Sequence, residues 1–154
     1  MTTVPLAVRY NFTQRFSVSA KEAFKWCTDF QQNDHVLMGE EGAQRQIIPL
    51  TDCTLILKDL FRSAAGMVEK QKLVQLYPDQ LFWTSTHLTG PNKHSQFLYA
   101  ISAEDKEASV LDFTGLHMDY EAKEDVRLLA KKLRKEDKDA WKLLARNMAR
   151  ELRC

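Results

Sequence analysis

Four histidines carry the side chains best suited to general acid–base chemistry, because their ordinary pKa lies near neutrality. They are His35, His87, His94 and His117, and their scattered positions do not match the spacing of a metal site. His87 shares its strand parity with Trp83, and His117 shares its parity with Phe113. We therefore expect His87 and His117 to point inward with the large apolar side chains. The alternative for each is a hydrogen-bonded polar group near the rim of a sheet.

Asp137 is a carboxylate within the apolar stripe of a predicted C-terminal helix. At 100° per residue it lies between Leu133 and Trp141. A carboxylate in apolar surroundings must find a partner or have a raised pKa, so Asp137 could bind a polar ligand group or move a proton. The alternative is that residues 135–139 form a solvated stretch where the helix overhangs the sheet or changes register. Asp112 alternates opposite Phe113 and is predicted to face solvent.

The sequence lacks the motifs of the common catalytic classes. It contains no G-x-S-x-G, H-E-x-x-H, C-x-x-C, P-loop or G-x-G-x-x-G pattern, which argues against common hydrolases, zinc enzymes and nucleotide enzymes. Its three cysteines, Cys27, Cys53 and Cys154, form neither a disulfide framework nor a metal pattern. We expect no metal and no cofactor.

Composition indicates one ordinary folded domain spanning residues 1–154, with 44% hydrophobic and 28% charged residues. The net charge of +1 argues against a dedicated nucleic-acid binder. Apolar runs of only a few residues predict no membrane-spanning helix and no stable membrane insertion. The first residues do not resemble a secretory signal, so we expect a cytoplasmic protein.

The elements that must position these residues begin with a strand at 6–18 and a helix at 20–28. Ser19 is predicted to cap this helix, with Glu22 as its capping-box partner. A second short helix is predicted at 30–38. Six strands should follow, at 45–50, 53–62, 67–77, 81–88, 94–102 and 108–119. Their short connections leave no room for crossover helices and predict an antiparallel meander, in which Pro49 marks an edge strand or a bulge.

The last predicted element is one long helix at 121–152. Its apolar stripe comprises Val126, Leu129, Ala130, Leu133, Ala140, Trp141, Leu144, Met148 and Leu152. A helix of this length, about 45 Å, needs a long surface such as a curved sheet. Residues 121–153 have a net charge of +4, which could contact an anionic partner or lipid headgroups. The alternative is a solvated charged face.

This order of elements resembles the START / Bet v 1-like superfamily (SRPBCC, polyketide cyclase/lipid transport), whose members share the helix-grip fold. The local resemblance is carried by residues 16–30, FSVSAKEAFKWCTDF, a strand end followed by a capped helix and a T-D-F ending. The resemblance covers essentially the whole chain. It implies an α+β fold in which a curved antiparallel sheet of about seven strands wraps around the C-terminal helix and leaves a cavity. Relatives bind lipids, sterols or polyketides, and some are cyclases or dehydratases, transfer lipids or bind other proteins.

The resemblance implies a binding site on the inward faces of the sheet and the last helix. The candidate ligand-binding residues are Trp83, His87, Phe97, Tyr99, Phe113, His117, Asp137 and Trp141. Aromatic side chains suit a mostly apolar pocket, and the polar atoms of Tyr and Trp can orient a ligand. The alternative is an ordinary filled core.

Three functions follow from this interpretation. The first is binding or transport of a hydrophobic small molecule such as a lipid, sterol or polyketide. The second is a small cyclase- or dehydratase-type enzyme that uses acid–base groups in the cavity, among them Asp137 and Tyr99. The third is a protein-interaction module, in which the C-terminal helix and its outward Leu128 and Leu143 could serve a protein partner or a homodimer. The catalytic residues and the ligand stay open at this point.

Overall fold

The computed structural model describes residues 4–30, 44–63, 66–121 and 123–153. These residues form seven strands, two α-helices and one short 3-10 turn. The elements are β1 (Leu6–Phe16), α1 (Ala20–Cys27), β2 (Gln44–Thr51), β3 (Thr54–Ser63), β4 (Gly66–Tyr77), the 3-10 turn Pro78–Gln80, β5 (Phe82–His87), β6 (Gln96–Ala103), β7 (Ser109–Asp119) and α2 (Val126–Arg153). Most of the short helix predicted at 30–38 lies outside the described residues.

The strands form one antiparallel sheet in the order β1-β7-β6-β5-β4-β3-β2. The predicted meander is confirmed, because β2 to β7 are neighbours in chain order. β1 closes the other side of the sheet by pairing with β7. Pro49 lies in the edge strand β2, where the register shifts between Pro49 and Thr51. A proline is tolerated there because its missing N–H breaks no interior ladder.

Alternation in β1 shows how the sheet acquires one buried face. Val8, Tyr10, Phe12 and Phe16 are buried, whereas the residues between them are exposed or half-buried. Successive side chains of a strand point to opposite faces, so this period of two places the apolar residues on one side. The two helices cover the same side, which forms the core.

α1 begins where the sequence predicts. The Ser19 hydroxyl accepts a hydrogen bond from the Glu22 amide at 3.2 Å, which satisfies one of the free N–H groups of the first turn. Ala23 and Phe24 are buried against the sheet, and the Phe24 ring meets the edge of Trp83 at 5.7 Å between centroids. At the other end, the indole of Trp26 donates to the Glu151 carboxylate at 2.5 Å, which ties α1 to α2.

α2 begins at Val126, five residues later than predicted, because the Asp125 carboxylate accepts the Arg127 amide at 2.8 Å and caps the first turn. Leu129 and Met148 are buried, but Val126 and Leu152 at the ends of the predicted stripe are 42% and 41% exposed. The 28 residues of α2 span about 42 Å. Among the described residues, no helix is both long and apolar enough to cross a membrane.

The two leucines predicted to point outward from α2 differ in their surroundings. Leu128 is 62% exposed, as predicted, whereas Leu143 is half-buried. Leu143 therefore does not extend an exposed apolar surface from Leu128.

Candidate functional site

The buried face of the sheet carries a continuous cluster of aromatic rings. This aromatic cluster comprises Phe12, Phe16, Trp83, Phe97, Tyr99, Phe113 and Trp141. Trp83 and Tyr99 stack at 4.7 Å with their planes within 3° of parallel. Tyr99 also meets Phe113 edge-on at 5.3 Å and Trp141 at 5.8 Å. All five aromatic residues predicted to line a site thus lie in one contact network.

Strand register builds this cluster. Trp83 of β5 lies opposite Tyr99 of β6, which in turn lies opposite Phe113 of β7. Phe113 lies opposite Phe12 of β1, and their rings stack at 4.6 Å. One cross-strand row therefore presents four rings side by side, and Trp141 of α2 covers this row from above.

A tyrosine and an aspartate pair next to this row. The Tyr10 hydroxyl of β1 donates a hydrogen bond to the carboxylate of Asp137 on α2. Gly115, directly opposite Tyr10 in β7, makes room for the ring. A Cβ at Gly115 would lie 2.7 Å from Cζ and 3.0 Å from the hydroxyl oxygen of Tyr10. The glycine therefore lets the Tyr10 ring lie across β7 and reach Asp137.

Burial controls the protonation of this pair. Burial raises the pKa of Asp137, although the hydrogen bond from Tyr10 acts in the opposite direction. Burial also raises the pKa of the Tyr10 hydroxyl, and the nearby Asp137 carboxylate raises it further. Tyr10 consequently stays protonated and remains a donor. Asp137 thus has both the partner and the raised pKa that the sequence analysis posed as alternatives. Its neighbours Lys135 and Asp139 are exposed, so residues 135–139 are largely solvated and Asp137 is the carboxylate of this stretch that turns toward the sheet.

His87 is 8% exposed, and its ring packs 5.0 Å from the ring of Phe97. Burial lowers the pKa of His87 to about 4, and the Lys72 ammonium, opposite it in β4, lowers the pKa as well. The imidazole is therefore neutral at neutral pH. The Asn92 side chain lies next to the His87 ring and raises its pKa through a hydrogen-bonding interaction, in opposition to burial.

A buried ionic cluster lies on the same face, at the β2–β4 side of the sheet. Asp59 is fully buried and accepts hydrogen bonds from Arg45 at 2.7 and 3.1 Å, in the two-pronged geometry typical of an arginine–carboxylate pair. The Lys72 ammonium lies 3.5 Å from the same carboxylate. Burial lowers the pKa of Lys72, and Asp59 opposes this effect. Lys72 thus connects the ionic cluster to His87.

His117 lies in a groove at the end of the sheet. The groove has a volume of about 570 Å³, and its lining includes Lys70, Asn92, His117 and Asp119. The His117 side chain is 14% exposed and lies 3.7 Å from the Asp119 carboxylate. Ser95 links the strands that carry the two histidines, because its carbonyl accepts from the His87 amide and its hydroxyl accepts from the Met118 amide next to His117. His87 and His117 therefore lie near the same end of the sheet.

The structure thus places the five predicted aromatic residues in one buried cluster, with His87 packed on Phe97, Asp137 bonded to Tyr10 and His117 in the groove. Sequence reasoning missed Tyr10, Gly115, Asn92 and the ionic cluster. One available signal was Asp59, which alternates in phase with the apolar Leu55 and Leu57 of β3. Of the other histidines, His94 is exposed and His35 lies outside the described residues. Asp112 is exposed, as predicted.

Solved structures with the same architecture cover almost the whole chain. The Zhui aromatase/cyclase from Streptomyces sp. R1128 has a TM-score of 0.77 at 12% identity, covering 96% of each chain. A START superfamily protein from Mycobacterium smegmatis has a TM-score of 0.72 at 14% identity, covering 92% of this chain and 97% of that one. Norcoclaurine synthase from Thalictrum flavum, solved with dopamine and hydroxybenzaldehyde, has a TM-score of 0.70 at 10% identity, covering 95% and 88%.

No protein-family model matches the sequence, and no curated protein matches it. The structural likeness therefore rests on the seven-stranded antiparallel sheet and the long C-terminal helix rather than on sequence identity. Both features agree with the order of elements and the local pattern at residues 16–30. This chain accordingly has the helix-grip fold of the START / Bet v 1-like superfamily.

Proposed function

We propose that this protein binds a hydrophobic, ring-containing small molecule between the sheet and α2. The observation that carries this proposal is the aromatic cluster, which has His87 and Asp137 as polar groups beside it. Binding sites for small molecules combine mostly apolar walls with a few polar groups that fix orientation. The arrangement of this face meets that description.

The flat ring surfaces of the cluster favour a flat ligand. Tyr99 stacks in parallel on Trp83, and it also contacts Phe113 edge-on and Trp141 at a tilted angle. A ligand ring that enters between the helix and the sheet would exchange one aromatic contact for another, at little loss of dispersion energy. A solved structure with this fold, norcoclaurine synthase, contains two small aromatic molecules. We extend this property to the present chain as part of the proposal.

The first test is native mass spectrometry of the freshly purified protein, followed by denaturation and identification of any released molecule. A stoichiometric apolar molecule supports the proposal and gives its chemical class. The same preparation is then titrated with the fluorescent apolar probe anilinonaphthalene sulfonate. Saturable binding at one probe per chain is expected.

A pair of variants on α2 locates the bound probe. Trp141→Ala removes a ring of the aromatic cluster and is expected to weaken probe binding by about tenfold, because it removes a large contact surface. Leu128→Ala removes an apolar side chain that is 62% exposed on the same helix and should leave affinity unchanged. Equal weakening by both variants would place the probe on the helix surface and contradict the proposal.

A second candidate function is proton-transfer catalysis at the polar groups beside the aromatic cluster. Asp137, with its raised pKa and its hydrogen bond from Tyr10, is the observation that favours it. A carboxyl group whose pKa lies nearer neutrality exchanges protons more effectively with a bound substrate. Turnover of any molecule recovered from the protein, abolished by Asp137→Asn while binding persists, would support this candidate. Binding without turnover would leave the first function alone.

A further inference from the structure

The buried face of β2, β3 and β4 carries more positive than negative charge. Arg45 lies opposite Asp59, and Asp59 lies opposite Lys70, so the strand register places these three side chains on one face of the sheet. Lys72 shares this face because it follows Lys70 by two residues. On this face of the three strands, within the residues that the structure describes, three cations thus accompany the single carboxylate of Asp59.

Asp59 cannot balance all three cations. Its carboxylate accepts hydrogen bonds from Arg45 at 2.7 and 3.1 Å and lies farther, at 3.5 Å, from the Lys72 ammonium. Lys70 forms no ion pair with a described carboxylate, and its ammonium lies 5.5 Å from the centre of the Phe61 ring. Burial lowers the pKa of Lys72, and Arg45 and Lys70 lower it further, whereas Asp59 raises it. A further negative charge beside the two lysines would therefore be stabilising.

Both lysines can be reached from solvent. Lys70 lines the groove of about 570 Å³, a volume within the range of about 300–1,000 Å³ that small-molecule sites occupy. The Lys72 side chain is 23% exposed, although its partner Asp59 is fully buried. The two lysines are two residues apart on one strand, so their Cα atoms lie about 7 Å apart. Their long, flexible side chains can therefore contact one bound anion together.

The same face leads from the lysines to the aromatic cluster. Lys72 lies opposite His87, whose ring packs 5.0 Å from the ring of Phe97. Leu76 follows Lys72 by four residues and lies opposite Trp83, so Lys72 and the row of Trp83 are about 13 Å apart along β4. A ligand whose ring and negative group are separated by up to this distance can contact both the cluster and the lysines.

The surrounding charges favour a group with one negative charge. The groove that Lys70 lines also contains three carboxylates, which belong to Asp119, Glu121 and Glu124. They would repel the second charge of a dianion such as a phosphate monoester, whereas the lysines would repel a cationic group. A carboxylate carries one negative charge and accepts hydrogen bonds from both ammonium groups.

We propose that Lys70 and Lys72 form a subsite for the carboxylate of an apolar, ring-containing acid. The ring lies against the aromatic cluster, and the carboxylate lies between the two ammonium groups. This subsite rests on the proposed function, which supplies the apolar part of the interaction, and adds the charge by which the ligand is recognised.

Equilibrium dialysis with two matched naphthalenes tests the subsite. 2-Naphthoate is an anion at pH 7, whereas 2-naphthamide has nearly the same size and shape but no charge. The wild-type protein is expected to bind 2-naphthoate at least about tenfold more tightly, because the amide leaves the excess positive charge unbalanced. Lys70→Met and Lys72→Met keep an apolar side chain but remove the charge, and each is expected to reduce this preference to less than about threefold.

Lys58→Met is the matched control, because it removes a positive charge from the same sheet but from its other face. Lys58 lies in β3 between the buried residues Leu57 and Asp59, so its side chain points away from them. This variant should keep the full preference for 2-naphthoate. Added salt should lower the preference of the wild type, because salt screens partly exposed charges.

Equal affinity of the wild type for both compounds overturns the subsite and leaves the proposed function in place. A preference that persists in both lysine variants, or that Lys58→Met reduces to the same extent, also overturns it, since the preference would then come from the charge of the whole protein. Lys70→Met alone decides the outcome if Lys72→Met does not fold. Failure of both compounds to bind contradicts the subsite and the proposed function together.

Discussion

Substitution of Gly115 by alanine tests whether this glycine holds Tyr10 in place. The added Cβ would lie 2.7 Å from Cζ and 2.9 Å from Cε1 of Tyr10, whereas ordinary contacts begin near 3.4 Å. The ring must therefore move by about 0.7 Å or more away from Gly115, which disturbs its hydrogen bond to Asp137. Overpacking of this kind typically lowers stability by about 1–3 kcal/mol, and loss of a hydrogen bond to a charged group has a similar effect. We expect Gly115→Ala to lower the free energy of unfolding by about 2–4 kcal/mol.

The measurement is urea unfolding followed by tryptophan fluorescence and far-ultraviolet circular dichroism, analysed by linear extrapolation. The same substitution is then made in a Tyr10→Leu background, where the ring is absent. Glycine in a strand interior is about 0.5–1 kcal/mol less favourable than alanine, so Gly115→Ala should be stabilising by that amount in this background. The change of sign is the signature of the contact between the two residues. An equal loss of stability in both backgrounds would refute the reasoning.

Three further perturbations probe the polar groups of the buried face. Tyr10→Phe removes the donor to Asp137, so the pKa of Asp137 should rise further, as followed by carboxyl-carbon NMR, and stability at pH 7 should fall by about 1–3 kcal/mol. The pKa of His87 is about 4 in the folded state, so the unfolded state binds more protons between pH 6.5 and 4. Stability should therefore fall by about 1–3 kcal/mol as the pH falls through this window. This loss should be absent from the His87→Phe variant. Asp59→Asn removes the carboxylate shared by two buried cations and should lower stability by about 3–5 kcal/mol.

Matched controls separate these effects from general damage to the fold. His94→Asn replaces an exposed histidine at a positive φ of 72°, which asparagine tolerates, and should leave the pH dependence unchanged. Asp112→Asn changes an exposed aspartate of β7 and should alter stability by less than about 0.5 kcal/mol. If His87→Phe retains the full loss of stability between pH 6.5 and 4, then another group titrates there.

The architecture could be predicted from the sequence because each of its signals is local. Alternation from Val8 to Phe16, the Ser19 cap and the short connections between strands depend only on neighbours in the chain. These signals suffice to define the meander and the long helix. The start of α2 was predicted five residues too early, because the Asp125 side chain caps the helix, whereas its end was predicted to within one residue.

The missed parts of the site depend on register, which a sequence pattern does not specify. Tyr10 belongs to an apolar alternation and looks like a core residue until Gly115 is placed opposite it and Asp137 above it. Asp59 and Lys72 come together because β3 and β4 pair with Leu57 opposite Lys72. A shift of one residue in this pairing would send these charges to different faces. Alternation within a strand predicts which side chains point inward. Which residues lie opposite each other on neighbouring strands follows only from the folded structure.

Intermolecular nuclear Overhauser effects between 2-naphthol and the isotopically labelled protein test the central claim most directly, because they identify the surface that the ring occupies. The proposed function predicts contacts from the naphthalene protons to the side chains of Trp83, Tyr99 and Trp141 in the aromatic cluster. Contacts confined to exposed side chains such as Leu98 and Leu128, with the cluster resonances unchanged at saturation, would contradict binding between the sheet and α2.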